Sequence, residues 1–209
     1  MAVVDLRPLP VHRDPARRIP QLFAGLALYG TSMAMQIREA LGLNPWDALH
    51  EGLAEQTPLS FGLITAVTGV VVLLLWIPLR QRPGLGTVAN VVVIAVVVDV
   101  ALAVIPSPVG LPARIGLMVG GVVLNGVATA AYVGARLGPG PRDGLMTGLA
   151  ARTGWSVRLV RTGIEVTVLA VGWLLGGTVG VGTVLYALAI GPLTQAFLPL
   201  LAVRGRDVS

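Results

Sequence analysis

The sequence predicts an all-α membrane protein in which six transmembrane helices form two inverted three-helix repeats, each with a short amphipathic or re-entrant helix after its first span. Three observations lead to this fold: long apolar runs, an internal repeat without gaps, and an uneven distribution of arginine. Hydrophobic residues make up 55% of the 209-residue chain and charged residues 12%, whereas a soluble domain carries about 25% charged residues. The composition therefore favours a chain embedded in lipid.

Apolar runs of about 20 residues, the length that crosses a bilayer as a helix, occur six times. They cover Ile19–Ile37, Phe61–Leu79, Thr87–Ile105, Ile115–Val133, Ser156–Leu175 and Gly182–Val203. Two shorter segments, Pro45–Thr57 and Pro141–Thr153, follow the first and fourth runs. Arginines precede the first run, as in a secretory signal peptide, but the run is too long for a signal core and no clear cleavage site follows. We therefore expect a membrane helix there.

The two halves of the chain are copies of each other at a constant offset of 96 residues. Polar and turn-forming residues recur together with apolar ones, so that Pro45 and Asp47 return as Pro141 and Asp143. Because each copy holds three spans, an odd number, the second must enter the membrane from the opposite face, around a pseudo-two-fold axis in the membrane plane. The predicted domains are a basic cytoplasmic tail (1–18), the two repeats (19–112 and 113–203) and a cytoplasmic C-terminal tail (204–209).

Arginine sets the orientation, because the chain has no lysine. With both termini in the cytoplasm, the outer segments hold only Arg38 and Arg114. The inner segments hold Arg7, Arg13, Arg17, Arg18, Arg80, Arg82, Arg136, Arg142, Arg152, Arg158, Arg161, Arg204 and Arg206. This positive-inside bias predicts a multi-pass protein of the bacterial plasma membrane with N- and C-termini cytoplasmic. The net charge of +5 then reflects orientation and attraction to anionic lipid, and no nucleic-acid partner is expected.

Two stretches of the chain are similar to the signature of a known family. They are Leu41–Leu49 (LGLNPWDAL) with Gly52-Leu53, and the echo Leu137–Leu145 (LGPGPRDGL) with Gly148-Leu149. Both resemble the YczE/YyaS/YitT family of bacterial integral membrane proteins, most closely its YczE-like branch, over about residues 21–200. The resemblance implies a multi-pass membrane protein and supplies no catalytic or binding residues.

The short segments begin with the features of helix N-termini. Asn44 is placed as an N-cap, Pro45 suits the first turn, and Asp47 lies where a carboxylate meets the positive helix end. Asp143 takes the same position in the second copy. Two arrangements fit this pattern. The segments are either amphipathic helices on opposite faces of the membrane, or re-entrant half-helices whose aspartates face a solute path.

Polar residues at membrane depth are candidates for a solute or proton path, because each is costly against lipid. Asp99 lies toward the outer end of its span, and Gln195 takes the mirrored position in the second copy. Arg161 and Glu165, four residues apart, can form an ion pair on one helix face. We expect Asp99, Glu165 and Arg161 to line the path, with the two carboxylates as candidate proton carriers. The alternative is that Asp99 pairs with Arg161 or accepts hydrogen bonds that fix helix register.

Two asparagines complete the set of candidates. Asn90 and Asn125 can add hydrogen bonds across helices, either within the packing or toward a solute. Glycines spaced four apart, Gly116 with Gly120 and Gly172 with Gly176, allow helices to approach closely. Such faces either pack inside the bundle or support a homodimer, and the spacing alone does not separate the two.

No enzyme motif is complete. The stretch beginning at His50 starts like a zinc-protease HExxH and lacks the second histidine, so His50 is expected to be solvated. The absence of cysteine excludes thiol chemistry, and we expect neither a metal nor another cofactor. The sequence favours a small-solute transporter or channel with a polar path between inverted repeats. The alternative is a non-transporting membrane scaffold or an accessory subunit that binds another membrane protein.

Overall fold

A computed structural model describes Leu6 and residues 8–203; Arg7, Arg204, Arg206 and the rest of the C-terminal tail lie outside the described residues. The described part is entirely helical, without strands, as the sequence predicts. Its eight helices are α1 (Pro15–Glu39), α2 (Pro45–Glu55), α3 (Phe61–Leu79), α4 (Leu85–Val104), α5 (Leu111–Gly134), α6 (Pro141–Thr153), α7 (Val157–Leu174) and α8 (Val181–Leu201).

The predicted spans correspond to six of these helices and the two short segments to α2 and α6. By length and composition, α3, α4, α5 and α8 are able to cross a membrane. The helices α1 and α7 are too polar to count as spans by the same criteria. Polar residues interrupt α1, and the 18 residues of α7 include three charged ones, Arg158, Arg161 and Glu165. That α1 and α7 cross the membrane therefore stays a prediction, and so do the predicted domain boundaries.

The packing of the helices repeats at the same offset of 96 residues as the sequence. Helix α1 packs against α4 as α5 packs against α8, and α2 packs against α7 as α6 packs against α3. The loops repeat too: Gly86 N–H donates to the Leu137 carbonyl at 2.9 Å, and Gly182 N–H to the Leu41 carbonyl at 3.0 Å. The two hydrogen bonds are equivalent, because the two donors are 96 residues apart in the sequence and so are the two acceptors. The contacts therefore have an internal pseudo-two-fold symmetry.

The largest apolar core lies where α1 packs against α4 and α5. It includes Leu22, Leu26 and Met33 of α1 and Val98 of α4, all fully buried. Arg18 is also fully buried. Its guanidinium donates to carbonyls at both the end of α5 and the segment before α1, which holds this segment against α5. The acceptors are the carbonyls of Ala135, Arg136, Pro10, Arg13 and Leu9.

One of the two small-residue spacings serves packing inside the bundle. A Cβ on Gly172 would lie 2.5 Å from the Leu49 backbone nitrogen, so α7 and α2 touch through their backbones there. Gly116 of α5 has open space around it. Gly120 faces α1 instead, since a Cβ there would lie 3.2 Å from Met35 Cε. Of this α5 pair, Gly116 alone therefore leaves space for a contact with another chain.

The loops before the short helices cross the starts of α8 and α4 at very close range. Gly42 has φ +134°, and a Cβ there would lie 2.6 Å from the Gly180 nitrogen. Gly138, its equivalent, has φ +123°, and a Cβ would lie 3.1 Å from the Gly84 Cα. Both positions require glycine, because an L side chain rarely adopts this backbone conformation.

We predict that Gly42→Ala and Gly138→Ala each lower the free energy of unfolding by about 1–3 kcal/mol, because the backbone is strained for alanine. Gly163→Ala is the control, since Gly163 lies within α7 with nothing within 4 Å of its Cβ position. Thermal unfolding of the purified protein in detergent measures the difference. Equal melting temperatures for Gly42→Ala and Gly163→Ala would contradict the prediction.

Candidate functional site

The N-terminal ends of α2 and α6 meet in the interior of the protein. The Arg142 guanidinium carbon lies 4.9 Å from the centre of the Trp46 ring, within range of a cation–π interaction. Arg142 Nη2 also lies 3.7 Å from Asp47 Oδ1. Trp46 and Arg142 hold equivalent positions in the two copies. Residues related by a two-fold axis can touch each other only if both lie next to that axis. The pseudo-two-fold axis therefore passes between Trp46 and Arg142.

Local sequence positions the start of α2. The Asn44 side-chain oxygen accepts from Asp47 N–H at 3.1 Å, and the Asn44 amide donates to Asp47 Oδ2 at 2.6 Å. This confirms Asn44 as the N-cap and holds the Asp47 carboxylate within the first turn. The second copy differs, because Gly140 has no side chain with which to cap α6. There the Pro141 carbonyl accepts the Trp76 indole N–H at 3.0 Å.

A cavity of about 630 Å³ lies beside this meeting point and is called the central cavity here. Its volume falls within the range of about 300–1,000 Å³ that is typical of small-molecule sites. Equivalent positions from both copies line it. They include the pairs Thr65 and Arg161, Gly69 and Glu165, and Asn90 and Tyr186. The central cavity therefore lies between the two copies.

Five of the eight residues that the sequence singled out as path candidates line the central cavity. They are Asn90, Asp143, Arg161, Glu165 and Gln195. Arg161 Nε donates to Glu165 Oε1 at 2.8 Å, the ion pair that their spacing predicts. Both side chains are partly exposed, so the pair faces open space rather than a packed core.

Asp47 and Asn125 lie directly behind residues that line the cavity. Asp47 is fully buried and contacts Arg142. Asn125 is fully buried too; its amide donates to Ser32 Oγ at 2.8 Å, and its oxygen accepts from the Tyr186 hydroxyl at 3.1 Å. These contacts make Asn125 a packing residue that also fixes a tyrosine of the cavity wall.

Asp99 lies apart from the other candidates and does not line the central cavity. Its carboxylate accepts from the Ser60 hydroxyl at 2.6 Å and from Gly62 N–H at 2.7 Å. It therefore holds the first turn of α3 against α4, where a negative charge is favoured by the helix end. This geometry favours the alternative in which Asp99 fixes helix register over the predicted role in a path.

The two first-turn aspartates have perturbed proton affinities. They belong to helices of 11 and 13 residues, which are too short to span a membrane. Burial raises the pKa of Asp47 to about 6, while Arg142 and the Asn44 amide act to lower it. Burial also raises the pKa of Asp143, while the hydrogen bond from the Tyr132 hydroxyl and the nearby arginines act to lower it. Asp143 is solvent-accessible yet enclosed by protein, because the space that it faces is the central cavity.

His50 corrects an expectation from the sequence. Instead of being solvated, its side chain is 1% exposed and faces the central cavity. Its Nδ1 lies 3.2 Å from Thr65 Oγ1, and the Thr65 hydroxyl donates a hydrogen bond to the Phe61 carbonyl at 2.9 Å. Burial lowers the pKa of His50 well below its ordinary value. The expectation was wrong because the spacing of residues on α2 predicts an amphipathic helix but does not predict which of its faces packs against α3.

Arg142, Trp46 and Tyr132 are site residues that the sequence did not identify. Arg142 counted as an arginine of an inner segment, but it is mostly buried against Asp47 and Trp46. The Tyr132 hydroxyl donates to Asp143 Oδ2 at 3.3 Å. The repeat itself could have pointed to Trp46 and Arg142, because they occupy equivalent positions, each next to one of the two matching aspartates. Among the described residues, no group of three His, Asp or Glu side chains is placed to hold a metal ion.

Comparison with known proteins places this chain in a family. The profile described as "Family of unknown function (DUF6198)" matches residues 16–199. An uncharacterized protein of Haemophilus influenzae is 38% identical over 186 residues, covering 89% of this chain and 85% of the relative. The uncharacterized membrane protein YczE of Bacillus subtilis is 36% identical over 179 residues, covering 85% and 83%. No solved structure matches the chain at a significant level.

A more distant relative extends the group. The uncharacterized protein YyaS of Bacillus subtilis is 24% identical over 180 residues, covering 84% of this chain and 90% of the relative. The YczE and YyaS part of the resemblance is thus confirmed, and the YitT part stays a prediction. The description of YczE and the four apolar helices indicate a membrane-embedded protein. The chain belongs to the family of unknown function DUF6198 and is similar to YczE and YyaS.

Proposed function

We propose that the protein is a small-solute transporter or channel whose polar path runs through the central cavity, between two inverted repeats in a bacterial plasma membrane. The observation that carries this proposal is a cavity of about 630 Å³ at the meeting point of two helix N-termini. Transporters built from inverted repeats commonly bind solutes at such a place, where half-helices end near the membrane midplane. Solute movement rather than catalysis is the role that we assign to the site.

The contact between α2 and α6 supports the re-entrant arrangement of the short helices. Helices on opposite faces of a hydrocarbon core about 30 Å thick could not approach each other this closely. The side chains of their first turns reach each other, since Arg142 Nη2 lies 3.7 Å from Asp47 Oδ1. The 11 residues of α2 measure about 16 Å at 1.5 Å per residue, or about half of that thickness. Each short helix is therefore suited to reach from one face to the middle.

The central cavity extends toward the N-terminal segment. Leu6, Pro8 and Arg136 line that end. With cytoplasmic termini, as the arginine distribution favours, this end of the cavity lies toward the inside of the cell. We therefore propose that the structure corresponds to an inward-open state, with a solute or a proton as the species that enters.

The second candidate function is a scaffold or accessory subunit. It is favoured by the open face around Gly116 and by an apolar groove between α5 and α8 that includes Val119, Val123 and Leu188. Such a face could hold a second copy of the chain, as proposed for a homodimer. A scaffold would not need a cavity lined by an ion pair and a carboxylate, so the transport role is the one that we prefer.

We predict that Glu165→Gln lowers solute uptake about tenfold or more, since it removes a charge that faces the cavity, whereas Asp99→Asn leaves the uptake rate of folded protein unchanged. The measurement uses purified protein in liposomes and a panel of radiolabelled amino acids, organic acids and sugars, with and without a pH gradient. Asp99→Asn is the matched control, because it also neutralises one carboxylate. We expect it to lower the melting temperature by loosening the start of α3. Absence of uptake for the whole panel would favour the scaffold, and loss of uptake only in Asp99→Asn would place the path elsewhere.

We predict that Glu55→Cys and Ala151→Cys, at equivalent positions of the two copies, react with an impermeant maleimide from opposite sides of the membrane. Both positions are exposed at the far ends of the short helices. The chain has no cysteine, so the unmodified protein is a blank for labelling in intact cells. We expect Glu55→Cys to react from outside and Ala151→Cys only after permeabilisation. Reaction of both from the same side would rule out inverted repeats.

A further inference from the structure

Three buried polar atoms on α2 have no hydrogen-bond partner among the described residues: the indole nitrogen of Trp46, Oδ1 of Asp47 and Nε2 of His50. Asp47 Oδ1 lies 3.7 Å from Arg142 Nη2, whereas the other two atoms belong to side chains that line the central cavity. Trp46 is 6% exposed and His50 1%, and both line the cavity. An unpaired buried polar atom costs about 1–3 kcal/mol. Such atoms are therefore a sign of a ligand whose groups would satisfy them.

The two atoms require opposite partners. An indole N–H only donates. The Thr65 hydroxyl has one proton and two acceptors in reach, the Phe61 carbonyl at 2.9 Å and His50 Nδ1 at 3.2 Å. We assign the proton to the shorter contact, and in that tautomer His50 Nδ1 donates to Thr65 Oγ1. Neutral His50 thus carries a lone pair on Nε2 and accepts a hydrogen bond. A ligand that satisfies both atoms needs an acceptor and a donor close together.

The spacing of the two side chains limits the size of that ligand portion. Trp46 and His50 are four residues apart on one helix, so their Cβ atoms are about 5–6 Å apart. The Arg142 guanidinium carbon lies over the Trp46 ring, 4.9 Å from the ring centre. The acceptor end of the ligand therefore meets a positive charge as well as an N–H, which favours an oxyanion such as a carboxylate.

The charges around the cavity favour a solute without net charge. Three arginines line it: Arg136, Arg142 and Arg161. Two carboxylates, Asp143 and Glu165, line it too, and Asp47 contacts Arg142 from behind. Three positive and three negative groups balance. A dianion or a dication would leave uncompensated charge in a partly desolvated space, whereas a solute with one charge of each sign would not.

We propose that Trp46, His50 and Arg142 form the binding subsite for a small zwitterion of the amino-acid type. Its carboxylate accepts hydrogen bonds from the Trp46 indole and the Arg142 guanidinium, and its amine donates to His50 Nε2. The inference rests on the proposed transport function and names the solute class of that site. The second copy has Arg142 and Met146 at the positions of Trp46 and His50. The subsite is therefore one-sided even though the scaffold is two-fold.

The test is ¹⁵N NMR of the full-length protein in lipid nanodiscs, labelled at histidine and tryptophan side chains. The chain has two histidines and four tryptophans. His12 and Trp155 are exposed and serve as internal controls. The probes are L-alanine, L-leucine and L-phenylalanine, with propionate and ethylamine as analogues of alanine that lack the amine or the carboxylate.

We expect at least one amino acid to shift the Trp46 and His50 signals saturably while those of His12 and Trp155 stay in place. Propionate and ethylamine should cause no such shift at the same concentration. Trp46→Phe, read at His50, and His50→Met, read at Trp46, should each weaken binding about tenfold, the loss expected for one buried hydrogen bond. Trp155→Phe is the control for tryptophan replacement and should bind as the unmodified protein does.

Unmoved Trp46 and His50 signals with all three amino acids would overturn the inference, as would equal shifts with an analogue that lacks one charge. The unmodified protein provides this test even if a variant fails to fold. Uptake of a different solute class into liposomes, together with silent Trp46 and His50 signals, would reject the amino-acid subsite and leave the transport function in place. Amino-acid binding without any flux would instead reject transport and retain the subsite.

Discussion

The arrangement depends on the contact between the first turns of two helices, α2 and α6. Each end carries a partial positive charge of about half an elementary charge, so two facing ends repel, and Arg142 adds a full charge at the same place. The sequence supplies a carboxylate in the first turn of both helices, Asp47 in α2 and Asp143 in α6. Asp47 also contacts Arg142 directly. These carboxylates allow the ends to meet without a large electrostatic penalty.

Because the short helices meet at their ends rather than along their sides, the space beside them stays open. Helix α2 packs on α7 through Gly172, and α6 packs on α3 around Trp76. Each short helix is thus fixed to the opposite copy, and the central cavity lies between them. Residues of both copies form its wall, which is why a movement of one copy against the other would change its shape.

The two copies share a scaffold and differ in chemistry. The cavity has Thr65 and Gly69 on one side and Arg161 and Glu165 at the equivalent positions on the other. Matched positions elsewhere keep the fold: the loop hydrogen bonds from Gly86 and Gly182 are nearly identical in length. Selection for packing acts on both copies alike, whereas a solute needs specific groups at one place only. The two sides of the cavity therefore offer a solute different chemical groups.

The sequence by itself determined the helices, the repeat and the local contacts. Apolar runs, the Asn44 cap and the Arg161–Glu165 pair depend on residues a few positions apart, so spacing is enough to predict them. Only the tertiary structure decided that Asp99 anchors α3, that His50 is buried and that Arg142 stacks on Trp46. These contacts join residues between 15 and 96 positions apart. They depend on which helix faces pack together, and helical periodicity does not specify the partner of a face.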